Sequence, residues 1–244
     1  MSTSTATNIP TTTPMASLVT ADIALLGLMR LVSPALPVGG FAYSQGFEYA
    51  VDAGWVSNAD DTEKWLGGVM TEGLAHLDIP LLCRLYQSLD NPQALHEWNA
   101  RVLACRESLE LRKEEQQMGR ALWRLLKDLQ AAQPPSQQRP LPYIAQPTWL
   151  AAFAVAAHHW GLDSRQTCLG FVWSWLENQL TVAAKTVPIG QTDVQRISSS
   201  LLTRIAAAVA TGMAVSDDDI SGGLPGVVMA SIKHETQYSR LFRS

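Results

Sequence analysis

Five histidines and three cysteines are the residues best suited to bind a metal or act as nucleophiles. Their spacing argues against both uses. His158 and His159 are adjacent, so on a helix they point about 100° apart and cannot chelate one ion together. His76, His96 and His234 have no ligand partner three or four residues on, and read as surface or internally satisfied histidines. Cys83, Cys105 and Cys168 are odd in number, lie far apart along the chain and form no C-x-x-C or Cys/His cluster. A structural zinc site is therefore not expected, and reduced thiols acting as small buried apolar residues fit a cytoplasmic protein. No G-x-x-x-x-G-K-[ST], G-x-G-x-x-G after a strand, G-x-S-x-G or H-E-x-x-H occurs, so the familiar phosphate-binding, serine-nucleophile and zinc-hydrolase chemistries have no carrier.

Three other segments hold residues that helix packing alone does not require. Ser33–Glu48 reads SPALPVGGFAYSQGFE. There Gly39 and Gly40 permit positive φ or close backbone approach, and Ser44 and Gln45 set polar groups beside Phe41 and Tyr43. An interhelical turn packed on the core explains the same residues. Ala183–Gln191 reads AAKTVPIGQ. Its Lys185 either complements a helix C-terminus or reaches from an apolar surface to a partner. His234–Ser244 reads HETQYSRLFRS, in which Tyr238, Leu241 and Phe242 beside Arg240 and Arg243 make anchor chemistry for an interface.

The elements that must position these segments read as helices. Leucine and alanine at helical spacing dominate, and period-2 runs are scarce. A first helix starts near Thr20, with Leu25, Leu28, Met29 and Val32 on one stripe. Further helices are expected over about 41–53, 60–76 and 92–131, the last as one rod or two abutting ones. Arg106, Glu107, Glu110, Arg112, Lys113, Glu114 and Glu115 form its polar face, and Arg106–Glu110 is an i,i+4 pair. Five prolines between 133 and 147 mark a loop. Thr148 caps a helix to His159. Asp163 with Gln166, and Thr192 with Gln195, resemble capping boxes opening helices at about 164–184 and 192–211. The helix at 164–184 is apolar nearly all round, which places it at a bundle centre or in an interface. The final residues have little core to pack on. The expectation is an all-α, single-domain bundle of eight to ten helices spanning 20–230. Residues 1–19 read as a disordered tail and 231–244 as a tail that orders on partner binding.

Of 244 residues, 47% are hydrophobic and 16% charged, against a usual charged share of about 25%. So little charge leaves apolar surface to be covered by another protein. A net charge of −4 argues against nucleic-acid binding. No uninterrupted apolar run approaches a membrane span of roughly 18 residues, and the N-terminus lacks the charge and apolar core of a secretory signal.

Together these segments, with LACRESLELRKEE at 103–115, resemble the signature stretches of the urease accessory protein UreF family. The resemblance runs from about residue 22 to the C-terminus and leaves out the threonine-rich start and the proline-rich 133–147. It implies a homodimer that is not an enzyme but binds UreD (UreH in some systems) and recruits the GTPase UreG. That complex would pass nickel to apo-urease. This chain would hold no cofactor tightly: nickel would be handled by the complex and GTP by the partner. By the same resemblance Lys185 is linked to GTPase control and Arg240 to UreG recruitment. His234, Glu235, Tyr238, Leu241 and Phe242 fall on the UreD-facing tail. Pro37, Gly39, Gly40, Ser44, Gln45 and Gly46 shape an interface. Two other readings remain. One is a helical enzyme with a pocket lined by Tyr43, Trp173, Trp175 and Glu177; the other is a dimeric scaffold unrelated to nickel.

Overall fold

The computed structural model describes residues 15–244, and the described residues form ten α-helices and no strand. The expected all-α architecture is what the chain adopts. The helices are α1 (Met15–Leu31), α2 (Phe47–Asp52), α3 (Ala59–Gly68), α4 (Asp78–Gln87), α5 (Pro92–Ala104), α6 (Leu109–Ala131), α7 (Trp149–His159), α8 (Ser164–Thr186), α9 (Gln191–Ala214) and α10 (Pro225–His234). α6 packs on α7, α8 on α9, and α4 on α7, α8 and α9. The expected tail over 1–19 falls outside the described residues up to position 14, and α1 begins at Met15 within the rest of it.

Local chemistry explains the boundaries. Asn58, Asn91, Ser108, Thr148 and Asp163 each accept a hydrogen bond from a first-turn backbone N–H, the usual N-cap solution for an orphan donor. Asp163 and Gln166 form the expected capping box, with both hydrogen bonds made. The box expected at Thr192 is not made; the helix is capped two residues earlier, at Gly190. α9 starts at Gln191, and Asp193 accepts from the Gly190 backbone N–H. The stretch 92–131 is two helices, interrupted at Cys105–Glu107. α3 continues into a π-helical turn at Val69–Leu74.

α8 is the central helix, as its all-round apolarity requires. Phe171, Val172, Leu176, Leu180, Val182 and Ala183 are buried on different sides of it. Phe153 of α7 is fully buried and meets Trp149 and Phe171 edge to face, with ring centroids 5.3 and 5.8 Å apart. Each such side chain contributes about 1.5–3 kcal/mol by leaving water. Cys83 and Cys168, 85 positions apart, are both buried, with their sulfurs 3.5 Å apart across α4 and α8. α9 is long and apolar enough on average to cross a membrane by length and composition, although polar residues interrupt its apolar ones. Its Ile197, Leu201, Ile205 and Val209 are buried, and it packs on α3, α4 and α8.

Two expectations change. α10 does have a core to pack on: Ala230, Ser231 and His234 are buried against α2 and α6. And α1 keeps an apolar face outside, with Ile23 60%, Leu26 64% and Met29 57% exposed.

Candidate functional site

The three chemistry-bearing segments, far apart in sequence, meet at one end of the bundle. The first is bent sharply. Gln45 and Gly46 both take left-handed backbone angles (φ 54° and 81°), between the 3-10 turn at Gly40–Ala42 and the start of α2 at Phe47. Gly46 is required there for a second reason. A Cβ at this position would lie 2.6 Å from the Ser231 nitrogen, so α10 packs directly on its backbone. Gln45 pays for its strained angle in hydrogen bonds. Its Oε1 accepts from Trp175 Nε1 (2.8 Å), and its Nε2 donates to Glu114 Oε1 (2.8 Å).

The tail at 231–244 is not free. It is seated on the chain itself, held by α2, α6 and the loop before α2. Glu235 accepts from the Leu109 and Glu110 backbone N–H groups (2.7 and 3.4 Å), satisfying two orphan donors at the start of α6. Glu48 of α2 accepts from the Leu241 and Phe242 backbone N–H groups (2.7 and 3.0 Å). Arg240 Nη1 donates to Glu110 Oε1 (2.8 Å). The Arg243 N–H donates to the Ala42 carbonyl (2.7 Å). Ser244 Oγ donates to Glu114 Oε2 (3.0 Å), and Ser44 donates to the Ser244 main-chain oxygen through both its N–H and its hydroxyl.

Lys185 stands in the last turn of α8. Its ammonium lies over the ring of Phe242, 5.5 Å from the centroid, within cation–π range. Phe41, Lys185, Leu241 and Arg243 line a shallow hollow together. The rim is exposed, Leu241 72% and Phe41 65%, and Tyr238 earlier in the tail is fully exposed. Pro37, Lys185 and Arg240 are exposed as well. Ser44, Gly46, His234 and Phe242 are buried, so they shape this surface from beneath instead of offering it. Glu235 and Gln45 are spent on internal hydrogen bonds, and Gly39 and Gly40 are half-buried in the turn.

Beneath the rim lies a set of buried carboxylates that the sequence reading placed on a solvated helix face. Glu110, Glu114 and Glu115 are 5–8% exposed. The expected Arg106–Glu110 pair is not made, because Arg106 lies in the break between α5 and α6. It instead joins Asp78 (2.6 Å) and Glu115 (2.9 Å), while Glu110 serves the tail. Glu115 also accepts from the Leu150 N–H of α7 (2.9 Å). One signal was present: Glu110 and Glu114 are one turn apart and share a face, inside a stretch that belongs to the resemblance.

A cavity of about 270 Å³ opens beside this set, lined by Leu36, Val38, Trp149, Trp175, Glu114 and Glu177 among others. Trp175 and Glu177 are where the pocket reading placed them; Tyr43 and Trp173 are not among its lining residues. Among the described residues no three His, Cys, Asp or Glu side chains are grouped to hold a metal ion.

Burial pushes the Glu114 carboxyl up to about 7, offset only in part by the donors Gln45 and Ser244. The folded chain thus holds this proton more tightly than the unfolded chain does. The stabilising effect is complete below about pH 4.5 and is lost as pH rises through 7. Glu114→Gln is expected to remove that loss. The variant should be more stable than the wild type by about 3 kcal/mol at pH 8 and about 1 kcal/mol at pH 5. Thermal melts at the two pH values measure this, and an equal shift at both contradicts the assignment.

The UreF family profile matches residues 56–202 of this chain. A urease accessory protein UreF from Marinomonas sp. (strain MWYL1) is 46% identical over 230 residues, covering 93% of this chain and 97% of the relative. The UreF proteins of Chromohalobacter salexigens and Hahella chejuensis are 46% and 44% identical, over 91% of this chain in each case and 95% and 99% of their own lengths.

Proposed function

The chain belongs to the UreF family, and from that premise we propose that it is a non-catalytic scaffold of urease maturation. It binds UreD (or UreH) and, through that complex, recruits and regulates the GTPase UreG while nickel passes to apo-urease in the cytoplasm. Nickel is cargo and GTP is the partner's nucleotide. The observation that carries this reading is the convergence of Phe41, Lys185, Leu241 and Arg243 around one hollow, built by three segments that pack on one another. A rim with exposed aliphatic and aromatic residues beside guanidinium and ammonium groups has the anchor composition of a protein interface.

Two copies of the chain act together in this reading. The exposed apolar face of α1 supplies surface of the kind a second protein covers. The same surface accounts for a composition so poor in charge.

The cavity beside Glu114 favours one competing reading, a helical enzyme, because it joins apolar walls to a carboxylate with a raised pKa. Co-expression separates the two. The tagged full-length chain should co-purify with UreD alone, and with UreG only when UreD is present. Failure to retain UreD would overturn the scaffold reading.

A further inference from the structure

His234 opens the tail motif, yet it is completely buried and faces no partner surface. Its Nδ1 lies 2.7 Å from Glu110 Oε2 and its Nε2 lies 3.0 Å from Glu48 Oε2. Each of those carboxylates also holds the tail further on. Glu48 accepts from the Leu241 and Phe242 N–H groups, and Glu110 accepts from Arg240. Ionised carboxylates only accept hydrogen bonds. The ring set between them meets one carboxylate with each nitrogen, so it ties both acids at once, while Arg240 adds a guanidinium on Glu110.

We propose that His234 is a positioning residue: by bridging Glu48 of α2 and Glu110 of α6 it fixes the C-terminal turn that presents Arg240 and Leu241 outward. Glu48 decides the backbone of the turn, since its two oxygens fix consecutive N–H groups at 241 and 242. Glu110 decides where the Arg240 guanidinium points. Without the imidazole the two carboxylates face each other across the gap with only Arg240 between them, and their repulsion loosens both grips together. The charged groups facing this site are Glu48 from α2, Glu110 from α6 and Arg240 from the tail.

Amide hydrogen exchange on the full-length chain tests this. His234→Gln is expected to speed exchange over 236–244 at least tenfold while α7 and α8 keep wild-type protection. Glu48→Gln alone should speed exchange at Leu241 and Phe242. The double variant Glu48→Gln with His234→Gln should be better protected than His234→Gln, because removing one carboxylate charge relieves the repulsion. That rescue is specific to charge, and a merely space-filling histidine would give additive losses instead. Wild-type protection of the tail in His234→Gln, or additive losses in the double variant, would overturn the clamp. The functional side of this inference rests on the scaffold reading. His234→Gln should cut UreG capture by the UreD-bound chain at least fivefold. If the wild-type chain captures no UreG while the exchange results hold, the scaffold reading fails and the clamp stands.

Discussion

Replacing Arg106 by methionine is expected to destabilise the fold by about 3–5 kcal/mol. The guanidinium is 11% exposed and joins Asp78, in the first turn of α4, to Glu115 of α6. Glu115 in turn accepts from the first turn of α7. Three helices are thus tied through one cation in the break between α5 and α6. Methionine fills similar volume but leaves two buried carboxylates with no countercharge. For a chain of this length each kcal/mol moves the melting temperature by about 2–4 °C, so the fall should be about 10 °C. Neutralising the partners as well, with Asp78→Asn and Glu115→Gln, should restore most of it, since the loss comes from uncompensated charge and not from missing contacts. A drop under about 2 °C for Arg106→Met would show that water reaches the pair.

Arg240→Ala is expected to reduce UreG capture by the UreD-bound chain at least tenfold while UreD binding persists. Arg240 contributes little to the fold: its side chain is 39% exposed and it pairs with Glu110, which keeps His234 as a partner. The melting temperature should therefore change little. Lys185→Ala should separate from it. That lysine sits on α8 with Phe242 beneath its ammonium, so the complex should assemble at wild-type levels yet activate urease less. Quantified pull-downs and activity at matched complex levels distinguish the two variants. Wild-type capture by Arg240→Ala would remove its recruiting role.

Much of this architecture was legible in the sequence. N-caps at Thr148 and Asp163 and the proline-rich loop mark helix ends by local chemistry that tertiary contacts do not override. The all-apolar α8 announced its central place. The buried carboxylates were not legible. Glu110, Glu114 and Glu115 have the composition of a solvated face, and tertiary docking takes them out of water: the tail engages Glu110 and Glu114, and Arg106 with the start of α7 engages Glu115. Arg106 misled for the same reason: helical spacing pairs it with Glu110 only if the helix is continuous, and it is not. The short α2 depends on two successive left-handed residues, and glutamine at the first of them is a weak signal. The rim residues Lys185 and Leu241 were nameable from their segments, but their meeting place depends on how α8, the tail and the Ser33–Glu48 loop pack.

The central claim is that this chain is needed to activate urease by bringing UreG and UreD together. Urease activity in cells lacking only this protein, grown with limiting nickel and complemented with either the wild-type chain or Arg240→Ala, tests it most directly. The account predicts urease protein at normal levels but nearly inactive without the chain, restored by the wild type and not by Arg240→Ala. Full urease activity in its absence, without added nickel, would contradict it.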